Sequence, residues 1–256
     1  MYRFPPKQTL TANGEVIEYV VAGTGVATVV LVNGAGGPIE GWHKVFGDIA
    51  GFARIFAYNR PGIGGSAKPQ LPQTGLQMVD TLRATLQAAR LPPPYLLVGH
   101  SLGGLIVNLF ARLHPEEIAA VVLIEATAPD DVADLALHEH AIQRWVRTLL
   151  NRIAPIDPHA ETQQVQTTVS ALAHAPSFPA IPLIVLTGGK PAMAWATTND
   201  ALAARTKHQQ SLVKLSPQGK QWMAMRSGHF PQFTEAGLVV AAIRDATLAA
   251  SASDMD

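Results

Sequence analysis

Short apolar runs, each broken by glycine, proline or a polar turn, recur through the first half of the chain and again towards its end. Glu15 to Val21 alternates like a strand with one buried face, whereas Ala27 to Val32 is a continuous β-branched run ending at Asn33-Gly34, the pattern of a strand covered on both faces. Runs of the second kind follow at Arg54 to Tyr58, Tyr95 to Val98, Ala120 to Ile124 and Leu183 to Leu186, and a last strand-like segment at Gln221 to Met225. Helical spacing marks Gln77 to Arg90, Leu102 to Leu113 and Leu238 to Leu248. Strands alternating with helices predict an α/β architecture, a mostly parallel sheet with helices on both faces. The two opening strands leave no room for a helix between them, which predicts an antiparallel hairpin at one edge. The Ala-Ser-Asp tail from Ala249 onward reads as frayed.

The pattern changes between Ala128 and Pro182. This polar stretch, containing His and Gln and punctuated by Pro155, Pro158, Pro176 and Pro179, separates two buried strands. It is too long for a plain loop in a compact domain, so it is expected to carry its own helices and to roof a site. The organisation expected is therefore one domain over 1–256, with a core of 1–127 and 180–250 and a cap insertion at 128–179. The 256 residues, 48% of them apolar, suffice for one sizeable core.

Charge and cysteine content narrow the chemistry. Lys plus Arg and Asp plus Glu stand at 19 each, so no excess charge is available for nucleic acid or an anionic membrane surface. No apolar run reaches the roughly 18 residues of a membrane span. The absence of cysteine removes disulfides and thiolate chemistry. No basic segment with an apolar core opens the chain, and a cytoplasmic location is the expectation.

The segment Val98-Gly99-His100-Ser101-Leu102-Gly103-Gly104 holds a Gly-x-Ser-x-Gly pattern between an expected strand and an expected helix. A tight strand-to-helix turn strains the serine backbone and presents its hydroxyl at the carboxyl end of the sheet, and the flanking glycines avoid clashes with neighbouring backbone. The plainer reading is a glycine-rich turn with an incidental serine, or a phosphate cradle. No Gly-Lys-Ser/Thr supports a P-loop.

Four segments, in order, resemble the α/β-hydrolase superfamily: Val32-Asn33-Gly34-Ala35-Gly36-Gly37, Asn59-Arg60-Pro61-Gly62-Ile63-Gly64-Gly65-Ser66, the Gly-His-Ser-Leu-Gly-Gly turn, and Ser227-Gly228-His229-Phe230. The resemblance implies Ser101 as nucleophile and His229 as its base, since the histidine comes last in chain order. His114, at a helix end, His138 and His140, in the insertion, and His100, beside the serine, have duller explanations. For the acid the turn after Leu183 to Leu186 offers no carboxylate until Asp200, whereas Glu125 ends a buried strand, an expensive place for an unpaired carboxylate. Glu125 is preferred, as in family members such as the haloalkane dehalogenases that keep the acid there; its alternative role is structural, bonding backbone amides of the insertion. The backbone N–H groups of Ala35 and Leu102 are expected to form an oxyanion hole, with Asn33 standing where relatives usually carry His.

The implied activity is a serine hydrolase cleaving small to medium carboxylic esters through an acyl-enzyme. A cofactor-free perhydrolase or haloperoxidase, an acyltransferase or C–C hydrolase, and a ligand-binding receptor with little turnover are the alternatives. A serine nucleophile sets the chain apart from dehalogenases and epoxide hydrolases, which use aspartate. Neither a cofactor nor a metal is implied, and His138-Glu139-His140 reads as a solvated face. Leu135, Leu137, Trp145, Leu149, Leu150 and Trp195 either face an apolar substrate group or pack the insertion on the sheet.

Overall fold

A computed structural model describes residues 4–25, 27–132, 161–190 and 199–253. Eight strands, β1 (Gln8–Ala12), β2 (Glu15–Ala22), β3 (Thr28–Val32), β4 (Arg54–Tyr58), β5 (Tyr95–His100), β6 (Ile118–Ile124), β7 (Leu183–Gly188) and β8 (Gly219–Ala224), form one sheet in the order β1-β2-β4-β3-β5-β6-β7-β8. From β4 to β8 every pairing is parallel. Among the described residues the α-helices are α1 (Phe46–Ala50), α2 (Gly75–Ala88), α3 (Leu102–Leu113), α4 (Val165–His174), α5 (Asn199–Val213), α6 (Pro231–Thr234) and α7 (Ala236–Ser253).

The β-branched run read as doubly covered is buried throughout, and its side chains divide by pleat. Val30 and Val32 join a core with Met78, Leu82, Leu105 and Leu109 of α2 and α3. Val29 and Leu31 face the opposite layer, with Trp42, Phe46, Val239 and Ile243. Burial on both faces explains why the central strands show no polar alternation.

The expected edge hairpin exists but joins other strands. Glu15–Ala22 pairs antiparallel with β1, its neighbour across Asn13-Gly14, and on its other side with β4. The run at 27–32 crosses into the sheet centre instead, because a strand apolar on both faces is covered only there. The tail also departs from expectation. Helix α7 continues through Ser253, and Ala250 is buried against the second core layer, so good helix formers and packing prevail over terminal fraying. Helix α5 was not foreseen, having a largely polar sequence.

Part of the segment between β6 and β7 packs firmly on the core. Leu172 and Phe178 are buried beside α2 and α3, and Thr168 Oγ1 accepts the Gly75 N–H at 2.9 Å. A Cβ at Gly75 would stand 2.5 Å from Thr168 Cγ2, so only glycine lets α4 approach there. Residues 133–160 and 191–198, which include Leu135, Leu137, His138, Glu139, His140, Trp145, Leu149, Leu150 and Trp195, lie outside the described residues. Among the described residues no helix is long and apolar enough to cross a membrane.

The chain moves from β3 to one side, to β4, then returns to the other side, to β5. That reversal opens a crevice beyond the carboxyl ends of β3 and β5, where ligands of open α/β sheets bind. The Asn33–Gly37 loop and Ser101 both lie there.

Candidate active site

Ser101 sits between β5 and α3 with φ 53° and ψ −122°, a strained conformation for a residue with a Cβ. The turn cannot relax easily, because its neighbours are packed backbone to backbone. A Cβ at Gly103 would lie 2.2 Å from the Val32 carbonyl oxygen, and one at Gly99 would lie 2.6 Å from the Gly103 carbonyl oxygen. Ser101 N–H donates to the Ile124 carbonyl at 3.2 Å, and Thr127 N–H donates to the Ser101 carbonyl at 3.1 Å, tying the turn to the end of β6. A serine at a helix start usually caps it with its side chain. Here the hydroxyl makes no capping bond, and Ser101 Oγ lies 3.0 Å from His229 Nε2.

His229 follows β8 in a loop fixed from two sides. Ser227 Oγ donates to Glu235 Oε2 at 2.6 Å, and Lys190 N–H donates to the Ser227 carbonyl at 2.9 Å. A Cβ at Gly188 would stand 2.4 Å from the Gly228 carbonyl oxygen, so β7 ends against this loop. The third support is His100, whose Nε2–H donates to the His229 carbonyl at 2.8 Å.

Of the two carboxylates weighed, Glu125 meets the histidine: its Oε2 lies 3.5 Å from His229 Nδ1. The side chain of Asp200 lies outside the described residues. Glu125 leaves β6 in a left-handed conformation, φ 45°, and its Oε1 accepts from Gly188 N–H at 2.5 Å and from the Arg205 guanidinium. Burial pushes the Glu125 carboxyl up, but His229, the Arg205 charge and the Gly188 N–H together outweigh it and hold the carboxyl below its ordinary range. One oxygen of Glu125 thus bonds a backbone amide, that of Gly188 at the end of β7 and not one of the insertion, while the other faces the imidazole.

Arg205 was not singled out from the sequence. With His208 and Gln209 it occupies one face of α5, at i, i+3 and i+4. Arg205 grips Glu125, His208 Nδ1 lies 2.6 Å from Asp131 Oδ1, and Gln209 Nε2 donates to the Ala126 carbonyl at 2.8 Å. Arg60, quoted in a motif but given no role, and Glu161 were likewise missed. They form a buried pair with Arg60 Nε donating to Glu161 Oε1 at 2.6 Å, beneath the Asn33–Gly37 loop.

That loop presses against the serine, for a Cβ at Gly34 would stand 3.0 Å from Ser101 Cβ. No acceptor among the described residues takes the N–H of Ala35 or of Leu102. Asn33, in place of the usual histidine, closes its own loop by donating from Nδ2 to the Pro38 carbonyl at 2.7 Å.

His100 has a consequence for stability. It is buried among Trp42, His229 and Phe230, and burial, aided by His229, lowers its pKa to about 3. The unfolded chain therefore binds a proton below about pH 6.5 that the folded chain refuses, so this stability is present above that pH and is lost as pH falls towards 3. Between pH 7 and 5 the loss is about 2 kcal/mol. In urea titrations the His100→Gln variant is expected to lose that much less than wild type over the same interval; equal losses would show that His100 titrates normally in the fold.

Comparisons with known proteins agree with this architecture. The model of the family described as the alpha/beta hydrolase fold matches residues 27–173. The uncharacterized protein YqjL of Bacillus subtilis is 29% identical over 232 residues, covering 89% of this chain and 86% of that protein. The human 1-acylglycerol-3-phosphate O-acyltransferase ABHD5 is 25% identical over 135 residues, 52% of this chain and only 39% of its own length. Among solved structures, a thermophilic esterase from Thermogutta terrifontis has a TM-score of 0.68 at 18% identity, with 94% of this chain and 97% of that chain covered. The enol-lactonase from Burkholderia xenovorans LB400 has a TM-score of 0.69 at 17% identity, with 94% and 100% covered. These two likenesses concern the fold. Together with the family match over more than half its length and an eight-stranded, mostly parallel sheet, they place the chain in the α/β-hydrolase family.

Proposed function

We propose that this protein is a serine hydrolase that cleaves small to medium carboxylic esters through an acyl-enzyme on Ser101. The observation that carries the reading is the line from Ser101 Oγ to His229 Nε2 at 3.0 Å and from His229 Nδ1 to Glu125 Oε2 at 3.5 Å. The ionised carboxylate favours a proton on Nδ1, which leaves Nε2 to accept the serine proton. Ser101 Oγ then attacks the ester carbonyl carbon, and the carbonyl π electrons move onto oxygen.

The N–H groups of Ala35 and Leu102, neither bonded to an acceptor among the described residues, receive that oxyanion. His229 returns its proton to the departing alkoxide as the C–O bond breaks. Water, deprotonated by His229, then attacks the acyl-enzyme and frees the acid and the serine. Each oxyanion donor contributes about 3 kcal/mol to such a transition state.

The test is fluorophosphonate labelling of the wild-type protein together with hydrolysis of p-nitrophenyl acetate and butyrate, in water and with added peroxide or alcohol. Labelling at Ser101 and ester turnover in water are expected. Turnover only with another acceptor would make it an acyltransferase or perhydrolase. A folded protein that neither labels nor turns over would overturn the hydrolase reading in favour of a ligand-binding protein.

A further inference from the structure

Among the described residues, the Arg60–Glu161 pair is the most deeply buried ion pair outside the serine–histidine–carboxylate line, with side chains 2% and 1% exposed. Three of its contacts reach one loop. Arg60 Nη1 donates to the Asn33 carbonyl at 2.8 Å, and Nη2 donates to the Gly34 carbonyl at 2.6 Å. Glu161 Oε2 accepts from Arg60 Nη2 at 3.1 Å and from the Gly36 N–H at 3.0 Å. The three peptide groups held are those around Ala35.

The Gly34 carbonyl and the Ala35 N–H belong to the same peptide unit. That unit is trans, and in a trans peptide C=O and N–H point to opposite sides. A guanidinium that holds the carbonyl on the buried side therefore turns the N–H towards the crevice, where Ser101 lies. The charge also polarises the peptide and strengthens its N–H as a donor. The loop is rich in glycine, with Gly34, Gly36 and Gly37 around Ala35, and its own backbone gives that carbonyl a single bond, from the Gly37 N–H at 3.1 Å, to which Arg60 adds a charged donor.

We propose that Arg60 and Glu161 are positioning residues that set the Ala35 N–H as an oxyanion donor, and that the segment between β6 and β7 thereby completes the site by supplying Glu161. The proposal rests on Ser101 being the nucleophile. A buried ion pair commonly adds little net stability over apolar side chains of similar size. Its value here lies in aim: the fork of Arg60 reaches two carbonyls, and Glu161 fixes both the fork and the next amide.

The pair is tested with the double variant Arg60→Met/Glu161→Met, which removes both charges of the pair together, and with Glu161→Gln, which keeps size and the Gly36 contact. Folding is checked by circular dichroism. In the double variant kcat for p-nitrophenyl butyrate is expected to fall about 100-fold, the loss typical of one oxyanion donor. A trifluoromethyl ketone, which binds serine as an oxyanionic hemiketal, should weaken by a similar factor. KM and the acidic limb of the pH profile should stay in place. Glu161→Gln should show the same split at about tenfold.

Loss of kcat and ketone affinity together, at constant KM, supports the proposal. A folded variant with both within threefold of an active wild type would overturn it while leaving the hydrolase reading intact, and the Glu161→Gln variant decides alone if the double variant does not fold. A wild type without turnover or labelling would overturn both.

Discussion

Ser101→Gly is expected to lose ester turnover and fluorophosphonate labelling while becoming more stable than wild type by about 1 kcal/mol. The two effects share one cause. At φ 53° and ψ −122° the serine occupies a conformation that costs a residue with a Cβ about 1–3 kcal/mol, and glycine adopts it freely. Part of that gain is offset by the greater freedom of glycine in the unfolded chain, about 0.4–1 kcal/mol. Removing the hydroxyl should lower kcat/KM about 10⁴-fold or more, leaving what oxyanion binding and substrate positioning give alone. Ser101→Ala is the control: equally inactive, it keeps the Cβ and gains no stability. Urea midpoints and p-nitrophenyl butyrate hydrolysis on the three proteins measure both quantities. A glycine variant that still labels would displace Ser101 as nucleophile, and one no more stable than the alanine variant would show that the turn stores no strain.

That strain was legible in the sequence because its causes are local. Gly99, Gly103 and Gly104 around a serine, between an apolar run and a helical pattern, require the close approach the structure shows, with Gly104 packed on Ala126. The doubly covered strands were legible for a similar reason, as burial on both faces writes itself into every residue. Sheet order was not. The partner of Glu15–Ala22 on its inner side is β4, some forty residues on, and nothing in either segment names the other.

The supports of the site were hidden more deeply. Arg205 lies on a helix whose sequence reads as solvated, and its value comes from meeting Glu125 eighty residues away. Glu161 follows a polar stretch with no motif, and Arg60 stands in a recognisable turn that gives no hint of its partner. Ser101 and His229, the residues proposed to carry the chemistry, stand in tight turns that leave a pattern, whereas the contacts packed around them are set by tertiary structure.

Glu125→Gln should lower kcat/KM about 10³-fold or more, and Asp200→Asn should leave it within threefold. The amide keeps the shape of the carboxylate but not its charge, so it neither favours the Nδ1–H tautomer of His229 nor stabilises the imidazolium. The partner of Oε1 adds a sign that separates electrostatics from propping. Arg205 is 23% exposed and offsets part of the Glu125 charge that His229 feels. With Arg205→Met the uncompensated carboxylate favours imidazolium more, and the lowered carboxyl pKa of Glu125 rises as one of its causes is removed. Both changes move the acidic limb of the kcat/KM profile to higher pH. If Arg205 only holds Glu125 in place, its loss lets the carboxylate swing away, the imidazolium loses its partner, and the limb moves to lower pH with a larger fall in rate. Arg205→Lys restores the charge and should return the limb to its original position. An equal loss in Asp200→Asn and Glu125→Gln would remove Glu125 from the mechanism and return it to the structural role of bonding the Gly188 amide.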